Sequence, residues 1–141
     1  MKNIIDNISN QKIVVLTDVR FSANDYKNYP DNVVLNGMDN VEIKAINKES
    51  VEYSITRTIR SEKEEDFVSF YVSFDIEIFF KEPYDEDKVI LESDMIKAIK
   101  ENTDVFDCGC SARISLIIAQ ISAQLAEGTP IISPASLMIG E

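Results

Sequence analysis

The sequence predicts an α+β domain: a four-stranded antiparallel sheet with two helices packed on one face. Three observations predict it. Apolar and polar residues alternate with a period of two in four separate stretches before residue 81. The second half of the chain then changes to a helical period. Strands come first and helices follow, which is the order of a meander with a helical layer rather than of repeated βαβ units. At 141 residues the chain has the length of one domain, spanning 1–141.

The elements follow in order. Lys12 to Asn24 alternates, with Ile13, Val15, Val19 and Phe21 on one face and Thr17 between them. Asp25 to Met38, with Pro30, Gly37 and several Asn and Asp, reads as a long loop. From Met38 to Ile46, Val41, Ile43 and Ala45 share one side and Glu42 and Lys44 the other. Asn47 to Ser50 is turn chemistry. Val51, Tyr53, Ile55, Arg57 and Ile59 then alternate with Glu52, Ser54, Thr56, Thr58 and Arg60, and Ser61 to Asp66 forms a charged hairpin turn. Phe67 to Phe80 is the clearest element, because Val68, Phe70, Val72, Phe74, Ile76, Ile78 and Phe80 hold one face without interruption. Such alternation belongs to a half-buried antiparallel strand. At ~3.3 Å per residue it could run ~46 Å, far beyond the ~5–6 residues of an ordinary strand. A sheet of that length either coils strongly or continues across a subunit interface.

After Pro83, Ser93 or Asp94 is placed to cap a short helix reaching about Asn102, with Met95 or Ile96 and Ile99 inward. Thr103 to Cys110 reads as a loop. Ser111 is placed to cap a second helix ending near Glu127, with Gly128 as its C′ residue. Ile114, Leu116, Ile117, Ile118, Ile121 and Leu125 surround most of this helix, so two of its sides need cover: the sheet and a partner subunit. The tail from Thr129 to Glu141, with Pro134, reads as an extended segment.

Charge and composition exclude several functions. The net charge of −11 repels phosphate backbones and anionic bilayers, which argues against nucleic-acid partners and membrane surfaces. No apolar run approaches the ~20 residues that span a bilayer, and Met1 to Asn10 lacks the pattern of a signal peptide. A soluble cytoplasmic protein is expected. Histidine is absent, so His-based triads and His-bearing metal sites are excluded. The four glycines are isolated, so there is no glycine-rich phosphate loop. Cys108 and Cys110 form a C-x-C pair that cannot complete a tetrahedral zinc site alone. Asp75 and Glu77 lie on one strand face, spaced for solvation rather than across a cleft. The expectation is a binding module, with no catalysis, cofactor or metal.

A string of short motifs is similar to one family. Asp18-Val19-Arg20-Phe21-Ser22-Ala23-Asn24 ends the first strand, and a long loop with Pro30 follows. Val41-Glu42-Ile43, Glu52-Tyr53-Ser54-Ile55 and the strand ending at Ile78-Phe79 come next. Ala112-Arg113 opens the main helix, and Thr129-Pro130 and Pro134 follow it. In order and spacing this string resembles the SecB-like export chaperones over nearly the whole chain. The resemblance implies a dimer of dimers, grooves that take up unfolded or precursor polypeptides without ATP, and docking on the SecA motor through an acidic sheet surface. Two departures stand out: Cys110-Ser111 replaces the family's Pro-Tyr, and the chain stops at Glu141 without the family's terminal helix. Client holding is therefore expected more firmly than docking on the motor.

Apolar burial does not read sequence, so aromatic-lined grooves suit such clients. The candidate client-binding groove residues are Tyr26, Tyr29, Phe79, Tyr84, Val105 and Phe106, each of which could instead be core. Glu52, Asp75 and Glu77 are the candidate partner-docking face, or a plain solvated one, and Arg113 is expected to be structural. Two other functions fit: a dedicated chaperone of one partner, such as an antitoxin, and a non-chaperone adaptor or structural oligomer.

Overall fold

The structure is a computed structural model and describes residues 4–23, 35–61, 68–84, 90–124 and 131–139. Its centre is the uninterrupted alternation already noted. After a single 3-10 turn at Ile5–Asn7, the strands are β1 (Ile8–Ala23), β2 (Leu35–Ile46), β3 (Ser50–Ser61) and β4 (Val68–Phe80). They form one sheet in the order β1-β4-β3-β2, with every neighbouring pair antiparallel. The α+β prediction with a four-stranded antiparallel sheet is therefore correct. The sequence between β1 and β2 and the predicted hairpin turn after Ser61 lie largely outside the described residues.

The even residues of β4 and the odd residues of β3 make the inner face. Val51, Tyr53, Ile55, Phe70, Val72 and Phe74 are fully buried there. Burying one such side chain contributes about 1.5–3 kcal/mol, so this face carries the fold. Helices α1 (Glu92–Glu101), α2 (Thr103–Phe106) and α3 (Cys110–Ser122) follow, with α1 over β2 and α3 over β4. Met95 and Ile99 of α1 and Ile114 and Ile118 of α3 close the core. Residues 131–139 are neither helix nor strand; the tail, expected to be extended throughout, bends at Ala135 and Ser136 and meets the sheet in one bridge between Ile139 and Asp39.

Four details differ from the sequence expectation. First, β1 does not keep one face. Leu16 pairs with Phe74 and Asp18 with Ser73, so Thr17 is an extra residue in a β-bulge. The bulge shifts parity: Ile13 and Val15 lie opposite Glu77 and Asp75 on the outer face, whereas Val19 and Phe21 lie opposite Val72 and Phe70 on the inner face. The Thr17 hydroxyl donates to the Ser73 carbonyl at 3.1 Å and fixes the irregularity. A second shift in β2 puts Ala45 opposite Glu52, away from Val41 and Ile43. Second, β2 starts at Leu35, inside the expected loop, because pairing with Ser61, Arg60 and Ile59 outweighs the turn propensity of Asn36 and Gly37.

Third, the helix ends move. Helix α1 begins at Glu92 without a side-chain cap, so neither Ser93 nor Asp94 serves that role. Helix α3 begins one residue before Ser111, and its assigned end is Ser122 rather than Glu127. The capping oxygen is Asp107 Oδ1, which accepts the Ser111 backbone N–H at 3.1 Å and the Ser111 hydroxyl at 2.5 Å. Fourth, the expected loop at Thr103 contains the single helical turn α2. It joins α3 through Cys108 (φ 53°) and Gly109 (φ 76°), two successive left-handed residues that reverse the chain. Glycine takes that conformation freely. For cysteine it costs about 1–2 kcal/mol, offset by the Cys110 N–H to Asp107 carbonyl bond at 2.9 Å.

Candidate functional site

Ile5 and Ile8 lead into β1, whose pairing with β4 slips between Ile8 and Lys12. The slack opens a cleft of 350 Å3 between the start of β1 and α2. Its walls include Ile5, Ile8, Ile78 and Val105, with Lys12 and Cys108 at polar positions. Val105 is 37% exposed and presents an apolar side chain to this opening. Among the described groove candidates it is the one that lines this cleft, whose walls mix these apolar side chains with Ser9, Asn10 and Lys12.

The other groove candidates separate. Tyr26 and Tyr29 lie outside the described residues. Phe79 is half-buried on the outer face, the opposite side of the sheet from the helices. Tyr84 packs edge-on against Phe80 at 4.8 Å, and its N–H donates to the Lys48 carbonyl. Phe106 is a correction: it is fully buried and stands edge-on to Tyr53 at 6.1 Å, so it belongs to the core and not to a groove wall. Its carbonyl accepts the Tyr53 hydroxyl. Aromatic character alone could not separate these roles, because core and groove both use it.

The three docking candidates do share a surface. Glu52 pairs with Glu77, and Ser54 beside it pairs with Asp75, all on the outer face. Two of the three have partners. Asp75 accepts Lys44 Nζ at 2.8 Å, and Glu77 accepts the Ser50 hydroxyl at 2.7 Å. The hydrogen bond to Asp75 holds the Lys44 ammonium above its ordinary range. Ile13 and Val15 stand on the same face at about half exposure, so acidic and apolar surface adjoin there.

On the inner face Leu16, Val19 and Phe21 are each more than a third exposed, and Leu116 of α3 is 58% exposed. Arg113 lies over the Phe74 ring at 4.7 Å, the structural role expected of it. The edge strand β1 and the outer side of α3 therefore carry apolar surface that no described part of the chain covers. The two-sided apolar pattern of α3 anticipated this; the contribution of Leu16 depends on the bulge and was not anticipated.

Cys110, the first residue of α3, and Tyr53 of β3 are both fully buried. Burial pushes the Cys110 thiol up to about 12, with Asp107 adding to the shift. Burial, then the Cys108 sulfur, also moves the Tyr53 phenol upward. Both groups are neutral when folded and ionise more easily when unfolded. The stabilisation is thus complete below the unfolded thiol value of 9.0 and is lost as pH climbs toward 12. The urea midpoint is expected to fall across that window, and Cys110→Ala should flatten part of the fall. A wild-type midpoint constant over the window would contradict the burial of these groups.

At the other end of the inner face, Arg57 interrupts the apolar row of β3. It is completely buried and pairs with Asp39 of β2, Nε to Oδ1 at 2.7 Å and Nη2 to Oδ2 at 2.8 Å. A smaller cleft of 240 Å3 opens beside this pair, between Met38 to Val41, Ile96, Ile99 and Lys100, and Ile139 of the tail. Arg57 in an apolar row was a visible signal, whereas Asp39 fell at the start of the Met38 to Ile46 stretch and was assigned to neither of its sides.

No family model matches the chain, and no curated protein sequence matches it. Among solved structures, the fold is similar to that of the Mycobacterium tuberculosis SecB-like chaperone Rv1957, in complex with a ChAD peptide from the Rv1956 HigA1 antitoxin. The TM-score is 0.65 at 10% sequence identity, and the match covers 92% of this chain and 91% of that one. The chain thus has a SecB-like fold.

Proposed function

We propose that the protein is a molecular chaperone that holds unfolded or extended polypeptide without ATP, acts in the cytoplasm and works as a homo-oligomer, a dimer of dimers. The observation that carries the proposal is uncovered apolar surface on a SecB-like fold: β1 exposes Ile13 and Val15 on one face and Leu16, Val19 and Phe21 on the other. Burial of such side chains is non-directional and accepts many sequences. Part of this surface suits a second copy of the chain, since an exposed edge strand is a template for pairing. The cleft around Val105 suits a client side chain.

The test is suppression of aggregation of a reduced, unfolding client. The protein in several-fold molar excess should keep the client soluble, and Val105→Asp should weaken that effect several-fold while leaving the far-ultraviolet circular dichroism unchanged. Failure of the wild-type protein to delay aggregation would count against the reading. Subunit number follows from native mass spectrometry with and without client.

A second reading is a chaperone dedicated to one partner. It is favoured by the structural neighbour, which is in complex with an antitoxin peptide. Capture from the native host separates the two: one stoichiometric partner supports the dedicated role, and many precursors support export. In the export case the face of Glu52, Asp75 and Glu77 would be the surface for the SecA motor, and reversing Glu52 and Glu77 to lysine should abolish that contact.

A further inference from the structure

The Arg57–Asp39 pair does more than neutralise itself. Arg57 has five N–H donors, and two of them engage the carboxylate of Asp39. The rest are directed at the tail: Nη1 donates to the Ser133 hydroxyl and the Pro134 carbonyl, and Nη2 to the Ser136 carbonyl at 2.9 Å. Asp39 Oδ2 also accepts the Met138 N–H at 2.6 Å, and the Asp39 N–H donates to the Met138 carbonyl at 2.9 Å. Asp39 and Ile139 form a parallel β-bridge. The pair therefore holds the tail through three carbonyls, those of Pro134, Ser136 and Met138, one N–H and one hydroxyl.

Those are groups that almost any polypeptide presents, here on both sides of the bend at Ala135 and Ser136. The Ser133 hydroxyl is the one side-chain group among them. The rest of the anchorage is similar: Ser115 Oγ donates to the Ser133 carbonyl at 2.6 Å, and the Ile131 N–H donates to Ser122 Oγ at 2.7 Å. In these hydrogen bonds the tail contributes chiefly main-chain groups and the body supplies the side chains, while Ile131 and Leu137 of the tail also pack against the core. Past Ile139 the edge of β2 continues into the cleft lined by Val41, Ile96 and Ile99. Pleating turns the N–H and C=O of Val41 outward, as it does those of Asp39 two residues earlier.

We infer that Arg57 and Asp39 form a receptor for the backbone of a polypeptide segment, and that residues 133–138 of the chain occupy it in cis and compete with client. The inference rests on the reading of the protein as a polypeptide-holding chaperone and gives that activity an internal regulator. A client gains the receptor when the tail leaves. Apparent affinity for the client is set by the fraction of molecules in which the receptor is free.

Met138→Pro tests this without altering the receptor. Proline removes the N–H that bonds Asp39 and keeps the preceding residue extended. If the tail leaves the receptor free about a tenth of the time, its release raises apparent client affinity about tenfold. The assay is fluorescence anisotropy with two labelled probes, a permanently unfolded polypeptide and a synthetic peptide of residues 131–139. The variant should bind both more tightly than wild type. A folded variant with unchanged affinity for both probes would overturn the inference and leave the tail as a structural strap. Should the variant not fold, the synthetic peptide is used as a competitor on the wild-type protein. It should displace the unfolded probe, and the same peptide N-methylated at Met138 should not; equal behaviour of the two peptides would overturn the inference. Binding of the tail peptide to the variant, with no binding of the unfolded probe to either protein, would uphold the receptor and defeat the chaperone reading.

Discussion

Replacing Asp39 with alanine is expected to lower the free energy of unfolding by about 3–5 kcal/mol, the usual cost of removing one partner from a buried ion pair. Arg57 and Asp39 have no exposed side-chain surface, so an orphaned guanidinium would stay out of water unless the structure opened. Total stabilities run at about 5–15 kcal/mol, so the single substitution threatens the fold. The double variant Asp39→Ala with Arg57→Met removes the orphan charge and should recover part of the loss. Recovery stays partial because the Ser133 hydroxyl and the Pro134 and Ser136 carbonyls then lose their donor. Urea unfolding of the three proteins checks this. A single variant within about 1 kcal/mol of wild type, the scale of an exposed pair, would mean that water reaches Arg57.

Phe106→Ala is the other large effect expected, a loss of about 3–5 kcal/mol. Phe106 is fully buried, and its ring packs edge-on to Tyr53. Truncation leaves a cavity beneath α2 and disturbs the backbone whose carbonyl holds the Tyr53 hydroxyl. Its neighbour Val105 makes the contrast informative. Val105→Asp should leave the urea midpoint nearly unchanged and weaken client holding, whereas Phe106→Ala should move the midpoint strongly. If the two variants exchanged these signatures, the placement of the cleft beside Val105 would be wrong.

Much of the fold was legible because alternation is local. The rows of β3 and β4 follow from side-chain period alone, and strands preceding helices led to the antiparallel sheet with helices on one face. What was not legible depends on partners. The bulge at Thr17 exists because its hydroxyl meets the Ser73 carbonyl, a residue on another strand. Nothing within residues 12–24 signals it, so Ile13, Val15, Val19 and Phe21 were assigned one face. The cap of α3 shows the same limit. Ser111 has the chemistry of a capping residue, but Asp107, one turn earlier, takes both its N–H and its hydroxyl. A one-turn helix such as α2 has no period to read. At the site, the acidic row of Glu52, Asp75 and Glu77 was legible from strand parity. The groove was not, because residue type does not tell an aromatic under a helix from one beside an opening.

One inserted residue in β1 has a further consequence for assembly. Were β1 regular, with Thr17 paired like its neighbours, the oily stripe would lie along a single side, and one covering layer would dry it. With Thr17 in the bulge the stripe crosses the plane of the sheet midway, so its first half looks one way and its second half the other. A companion laid along that margin must pass through the same plane at the same point, or else two separate companions must divide the task. A straight, flat ribbon fits neither requirement, and the kink thereby selects which neighbours can seat.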